Sequence, residues 1–378
     1  MKTDLYLSIA EKISSDKFSS IFILVDENTE QFCLEVFIKK SGIKSFNKIV
    51  IASGEENKNI DTCVSIWGQL NSYKADRKSL LINLGGGVLT DIGGFAASTY
   101  LRGIEFINVP TTLLGMVDAA HGGKTGIDFK LLKNQIGVFN EPLEVLLDSE
   151  YLKTLSKEEF INGYAEVVKH SLLTDKPDLT FNSLVKLDLF KDSDYIINSY
   201  SSVKNEIVKS DKYESSIRKV LNLGHTIGHA IESYCHISDK VVDLKHGEAI
   251  VIGLITELFI SYKKFNFPLK DVLTVKEHLK KYFSLIQFQE DDIMNIYDLI
   301  IYDKKNEGSK INFVLLKEIG KPVIDQIVNK DLFIESFEFY SEKVIILEKY
   351  FSLVSFYHLY FLPKISSFLS LIHPLHHQ

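Results

Sequence analysis

Residues 79–103 read SLLINLGGGVLTDIGGFAASTYLRG, and this stretch decides the fold. Residues 80–84 form a run of strand length that is apolar except for Asn83, stopped by Gly85, Gly86 and Gly87. A helix is expected to begin near Asp91. Glycines let a backbone approach a ligand closely. The helix N-terminus then offers unpaired N–H groups and a positive dipole end to phosphate. The pattern is not GxGxxG, so taken alone it also fits a tight strand-to-helix turn with no ligand.

Working outward, three more short apolar runs flank this one: residues 21–25 ending at Asp26, 49–52 ending at Ser53-Gly54-Glu55, and 106–109 stopped by Pro110. Helical patterns fall between them. Such alternation predicts a mostly parallel sheet covered on both faces, with ligands beyond the carboxyl ends of the strands. The turn Ser53-Gly54-Glu55-Glu56-Asn57-Lys58 supplies a carboxylate and an ammonium at one such end. From about Tyr151 the texture changes, and apolar spacing predicts helices over 157–173, 196–209, 216–234, 246–263 and 269–283. The reading is α/β: an N-terminal Rossmann-like domain over 1–148, a C-terminal α-helical domain over 149–341, and an aromatic-rich tail over 342–378.

The chain has 378 residues and a formal net charge of −7. That charge argues against nucleic acid or an anionic membrane as partner, but not against a small anionic substrate in a local cationic pocket. Three cysteines with no CxxC pair fit a reducing compartment, and a cytoplasmic location is expected. No secretory signal and no membrane span are expected.

Asn222–Glu232 reads NLGHTIGHAIE, which puts His225 and His229 at i, i+4 on one helical face. His246 opens a later helix in HGEA. Glu166 lies in GYAEVVKH with Lys169 and His170 within a turn. Imidazoles plus one carboxylate suit a three-ligand zinc site with an open position that polarises a substrate oxygen. Spacing alone leaves open which two histidines bind metal. HExxH is absent, which excludes the zincin reading. Residues 118–133 read DAAHGGKTGIDFKLLK and lead into Asn134, with Lys124 and Lys133 bracketing a glycine-containing loop. Lys204 and Arg218 fall on predicted helices. Arg218, Asn222, His225 and His229 are spaced 4, 3 and 4 apart, which predicts one shared helical face forming the wall of an anion site.

These blocks, with PTTLLGMVDAAHGGKTGID, LKNQIG, LKTL, RKVLNLGHTIGHAIE, KHGEA and DKK, occur in order between about residues 20 and 340. Together they resemble the 3-dehydroquinate synthase family. The resemblance implies a homodimer that converts 3-deoxy-D-arabino-heptulosonate 7-phosphate, a phosphorylated keto acid, to 3-dehydroquinate and phosphate in the shikimate pathway. Transient NAD-dependent oxidation, phosphate elimination, re-reduction, ring opening and aldol closure are the implied steps. It implies metal ligands Glu166, His225 and His246 for Zn2+ or Co2+, with His229 on substrate. Implied substrate residues are Arg102, Asp118, Lys124, Lys133, Asn134, Lys169, Lys204, Arg218 and Asn222, with the segment Asp303-Lys304-Lys305 over the phosphate. Implied NAD residues are Asp26, Asn28, Glu55, Lys58, Gly87, Val88, Leu89, Thr90, Asp91, Thr111, Thr112, Leu152, Lys153 and Thr154, with Lys124 and Lys133 reaching the cofactor as well.

Departures from the family pattern are Thr90 in place of glycine, His121 in place of a small aliphatic residue, Asp128 in place of asparagine, and Ser216 in place of glycine. The alternatives are another NAD-dependent sugar phosphate cyclase, a glycerol-dehydrogenase-like polyol dehydrogenase, or a binding-only homologue.

Overall fold

The computed structural model describes residues 2–14, 17–130, 132–238, 243–304 and 311–341; the expected tail lies outside these. The first half holds a five-stranded parallel sheet. Its strands are β1 (Ile21–Asp26), β2 (Asn47–Ile51), β3 (Leu80–Gly85), β4 (Glu105–Pro110) and β7 (Glu144–Val145), in the order β2-β1-β3-β4-β7. The order reverses between β1 and β3, so the crevice outside their carboxyl ends is the ligand position of a doubly wound sheet. The four apolar runs read from sequence are these four long strands.

Strand alternation sends side chains to two cores. Phe22, Leu24, Leu81 and Phe106 pack beneath α4 (Ile60–Ser72) and α5 (Gly87–Thr99). Ile23, Val25, Ile82 and Ile107 face the other way, against α1 (Lys2–Ser14), the short α2 (Glu27–Phe32) and α3 (Leu34–Ser41). That second core runs without a break into the helical half. α5 begins at Gly87, four residues before the expected start near Asp91, because Gly86 takes the N-cap position in extended backbone. Between β4 and β7 a hairpin, β5 (Lys124–Phe129) with β6 (Leu132–Phe139), packs along α5. The sequence reading had only a loop there.

The second half holds α6 (Lys157–Leu173), α7 (Phe181–Leu184), α8 (Ser193–Ser210), α9 (His225–Ile237), α10 (His246–Phe265), α11 (Leu269–Leu279), α12 (Glu290–Lys304) and α13 (Lys330–Tyr340), with α6, α9, α11 and α13 packed against α10. α10 is buried from Ala249 through Ser261, as a central helix with apolar residues on every side should be. A hairpin of β8 (Phe313–Glu318) and β9 (Lys321–Gln326) also packs here, which the all-helical expectation for this half missed.

The helix expected over 216–234 is two pieces. A 3-10 helix, Ile217–Asn222, ends at Leu223, Gly224 turns into the left-handed region at φ 79°, and α9 starts at His225. Arg218 and Asn222 therefore do not share a helical face with His225 and His229. Cys33, Cys63 and Cys235 are free and buried. Among the described residues no helix is long and apolar enough to cross a membrane.

Candidate metal and nucleotide site

The predicted nucleotide residues converge because parallel strands end on one edge. Asp26 closes β1 and caps α2 by accepting the Thr29 N–H at 2.8 Å, with Asn28 exposed in the next turn. Glu55 and Lys58 follow β2, Gly87–Asp91 follow β3, and Thr111 and Thr112 follow β4. The first turn of α5 has no side-chain cap, and the first N–H bonded back into the helix is that of Thr90 to Gly86 O. The N–H groups of Gly87, Val88 and Leu89 are thus available to an anion. Lys58, almost fully buried, donates to Asp91 and to Asn134 Oδ1, each at 2.7 Å. Asn134 N–H donates to Asp128 at 2.7 Å, so the hairpin tip is tied to the nucleotide edge. Asp128, the departure from asparagine, serves here as an acceptor. Leu152, Lys153 and Thr154 lie in a 3-10 turn, Ser149–Thr154, just after β7, with Leu152 buried and the other two exposed.

Three elements supply the candidate metal ligands: α6 brings Glu166, α9 brings His225 and α10 brings His246. One ligand atom from each lies within 4.8 Å of the others. His225 Nε2 and His246 Nε2 approach Glu166 Oε1 at 3.4 and 3.2 Å. The outward nitrogens have partners of their own: His225 Nδ1 is 3.1 Å from Leu223 O, and His246 Nδ1 is 3.5 Å from Glu232. Two imidazoles pinned from behind, with the same nitrogen turned inward, are what a metal site requires. Glu166 is fully buried and its Oε2, although beside Lys169, accepts no aligned hydrogen bond. Burial alone would raise its carboxyl, but Lys169 and His225 hold it well below the usual carboxylate range. The residues therefore fit a divalent cation. His229 is exposed in the same cleft, its ring centroid 5.0 Å from that of His225, and desolvation by the cleft walls with the neighbouring imidazoles lowers its pKa.

Beside this cluster is a cationic wall. Asp118, in a π-helical turn (Gly115–Ala119), collects Lys204 at 2.8 Å, Lys169 at 3.5 Å and His170 at 3.2 Å. Burial opposes its ionisation, yet the two ammoniums keep Asp118 well below the usual range. Further along, Lys124 pairs with Glu214, which also accepts from Asn222 at 2.9 Å. Arg218 is held by Lys212 O at 2.6 Å, and its guanidinium lies so near Gly122 that a Cβ there would be 2.6 Å from it. Desolvation and the charges of Arg218 and Lys204 push Lys124 down to about 8. Lys133 reaches Glu232 at 2.7 Å and Glu55 at 3.6 Å. The cations expected on one helix face are instead brought to this side of the cluster by separate segments.

One predicted residue, Arg102, is not brought in. Arg102 is exposed in left-handed backbone (φ 71°) beyond the far end of α5, and joins none of these ion pairs. Lys304 ends α12, but its side chain, like Lys305, lies outside the described residues. Sequence reasoning missed Glu232, although it stands in the quoted NLGHTIGHAIE block. It also missed Asn162, which accepts the Gly247 N–H at 2.6 Å and fixes the start of α10 beside His246. His121, the bulky departure, is buried, with Nε2 2.8 Å from Met116 O. Burial and Lys204 lower it to about 4, so it is neutral near pH 7.

Residues 48–162 match the family model described as 3-dehydroquinate synthase N-terminal, and residues 163–306 match the one described as 3-dehydroquinate synthase C-terminal. The chain belongs to the 3-dehydroquinate synthase family. Within this family of phosphate-eliminating cyclases, a 3-dehydroquinate synthase of Parabacteroides distasonis is 41% identical over 90% of this chain and 96% of its own. One from Acetivibrio thermocellus is 37% identical over 86% and 92%. Among solved structures, 2-deoxy-scyllo-inosose synthase complexed with carbaglucose-6-phosphate, NAD+ and Co2+ superposes with a TM-score of 0.76 at 26% identity, covering 87% of this chain and 94% of that one. The family's two-part architecture, a Rossmann-like sheet followed by a helical domain, is the one described above.

Proposed function

We propose that this member of the family converts 3-deoxy-D-arabino-heptulosonate 7-phosphate to 3-dehydroquinate and phosphate. The reading rests above all on one observation: Glu166, His225 and His246 converge on a point flanked by a cation wall, within reach of the hairpin that ties to the nucleotide edge. NAD would lie along the β1, β3 and β4 ends, with its phosphates at the first turn of α5. Bound NAD supplies a reversible hydride acceptor and bound Zn2+ or Co2+ a Lewis acid at the hydroxyl-bearing carbon. The inosose synthase that binds NAD+ and Co2+ supports both assignments.

The chain's own residues bind and orient the substrate. Lys124, Arg218 and Asn222 suit a carboxylate and a phosphate through charge-assisted hydrogen bonds. Lys169 and Lys204, nearly buried and set by Asp118, hold developing negative charge. His229 presents a neutral imidazole to the same space, and Asn134 and Lys133 close the hairpin side. We assign residues 1–148 to nucleotide binding and 149–341 to metal and substrate binding, with the site between them. The apolar hairpin residues Ile136, Val138 and Phe139, each more than a third exposed, suit burial in a homodimer. A cytoplasmic location fits the three unpaired cysteines.

The test is to incubate the purified protein with NAD, Zn2+ and the seven-carbon phosphate and to follow phosphate and carbocycle together. Equal release of phosphate and 3-dehydroquinate is expected. Turnover only with a sugar phosphate that lacks a carboxylate would move the chain to another sugar phosphate cyclase branch, in which part of the cation wall would have no partner.

A further inference from the structure

Glu232 is a buried carboxylate on α9 to which the reaction, as described, gives no role. It sits one turn beyond His229, and its side chain is only 8% exposed. Its two oxygens face different halves of the molecule. Oε2 lies 3.5 Å from His246 Nδ1, and His246 Nε2 lies 3.2 Å from Glu166. Oε1 lies 2.7 Å from Lys133 Nζ on β6, and that same ammonium is 3.6 Å from Glu55 in the turn after β2.

We propose that Glu232 is a positioning residue that couples metal binding to nucleotide binding, through His246 on one side and Lys133 on the other. The inference rests on the assignment of Glu166, His225 and His246 as metal ligands. An imidazole that donates from Nδ1 to a carboxylate keeps its Nε2 lone pair for a metal. Glu232 therefore fixes both the tautomer and the ring orientation of His246. Its second oxygen gives Lys133 a desolvated partner. Without it Lys133, whose side chain is 42% exposed, would be an ordinary solvated charge on a hairpin strand. α9 belongs to the helical half and β6 to the half that carries the nucleotide edge, so this carboxylate is a cross-link between them. A group that orders Glu232 from one side lowers the ordering cost on the other, which is a coupling between the two sites.

The test measures zinc affinity by competition with a chromogenic chelator, and NAD affinity by calorimetry with and without zinc, in the wild type, Glu232→Ala, Glu232→Gln and Lys133→Met. Far-ultraviolet circular dichroism confirms folding, and Glu232→Gln, which keeps size and one acceptor, carries the test if the alanine variant does not fold. Zinc affinity is expected to fall by about 10-fold or more in Glu232→Ala, and by less in Glu232→Gln. It should change little in Lys133→Met. Wild-type NAD binding is expected to tighten by about fivefold with zinc, and this gain should vanish in all three variants. The inference is overturned if the wild type binds zinc and Glu232→Ala binds it equally well, or if the zinc-dependent gain persists in the variants. Failure of the wild type itself to bind zinc would instead remove the ligand assignment beneath it.

Discussion

Glu257, a fully buried carboxylate of α10, accepts the backbone N–H of Gly224 at 2.6 Å. It also receives the N–H of Ile227 at 3.4 Å, so one helix caps the other where the histidines begin. A carboxylate at a helix N-terminus satisfies orphan donors and opposes the dipole. Here it also sets the direction in which His225 and His229 leave the backbone. Glu257→Leu should lose about 1–3 kcal/mol in urea unfolding, because buried N–H groups are left without an acceptor. Zinc affinity should fall with it. Glu257→Gln, which retains an acceptor, should recover most of both.

His225→Ala removes a ligand and leaves a carboxylate and one imidazole. Retained zinc, measured by metal analysis after dialysis, should drop below stoichiometry, and kcat should fall by about 100-fold or more. Normal turnover in protein shown to be metal-free would contradict the ligand set.

Lys124 gives the pH dependence a sign. Its folded pKa is pushed down to about 8, so it is a cation below that pH and neutral above it. Its own contribution to holding the substrate anions is present only while it is charged. KM should therefore rise as pH passes upward through about 8, with little change between pH 6 and 7. Lys124→Arg keeps its charge throughout this range and should flatten the KM profile. An identical rise in the arginine variant would assign the effect to another group.

Gly253 and Gly224 meet where α9 crosses α10. A Cβ on Gly253 would stand 1.9 Å from Gly224 O, and backbone on both sides leaves nothing flexible to give way. Gly253→Ala should cost about 3 kcal/mol in denaturant unfolding and disturb His225 as well. Wild-type stability would show that the helices can part without loss.

Much of the fold was legible because buried parallel strands carry an unmistakable signal. Residues 21–25 are apolar at every position and residues 80–84 at all but Asn83, and each run ends in a carboxylate or glycine turn. Helices of strong period, such as α6, were read to their boundaries. The β5–β6 hairpin was not, because residues 133–139 are exposed along its length and show no buried alternation. The break at Gly224 was hidden for a different reason. Three- and four-residue spacing continues through it from Arg218 to His229, while the left-handed turn depends on Glu257, thirty-three positions away. Glu232 went unread for a similar reason, since its meaning lies in His246 and Lys133, which only the tertiary fold brings to it. Helical spacing alone could not choose between His229 and His246 as ligands. The distances to Glu166 favour His225 and His246.

The central claim is a single divalent ion held by α6, α9 and α10 beside the nucleotide edge. Crystals grown with Zn2+ and NAD, measured on both sides of the zinc absorption edge, test it most directly. The account predicts one strong anomalous peak within bonding distance of Glu166, His225 and His246, with NAD phosphates at the N–H groups of Gly87, Val88 and Leu89. A peak held by other residues, or a fully occupied NAD lying away from the β1 and β3 ends, would contradict it.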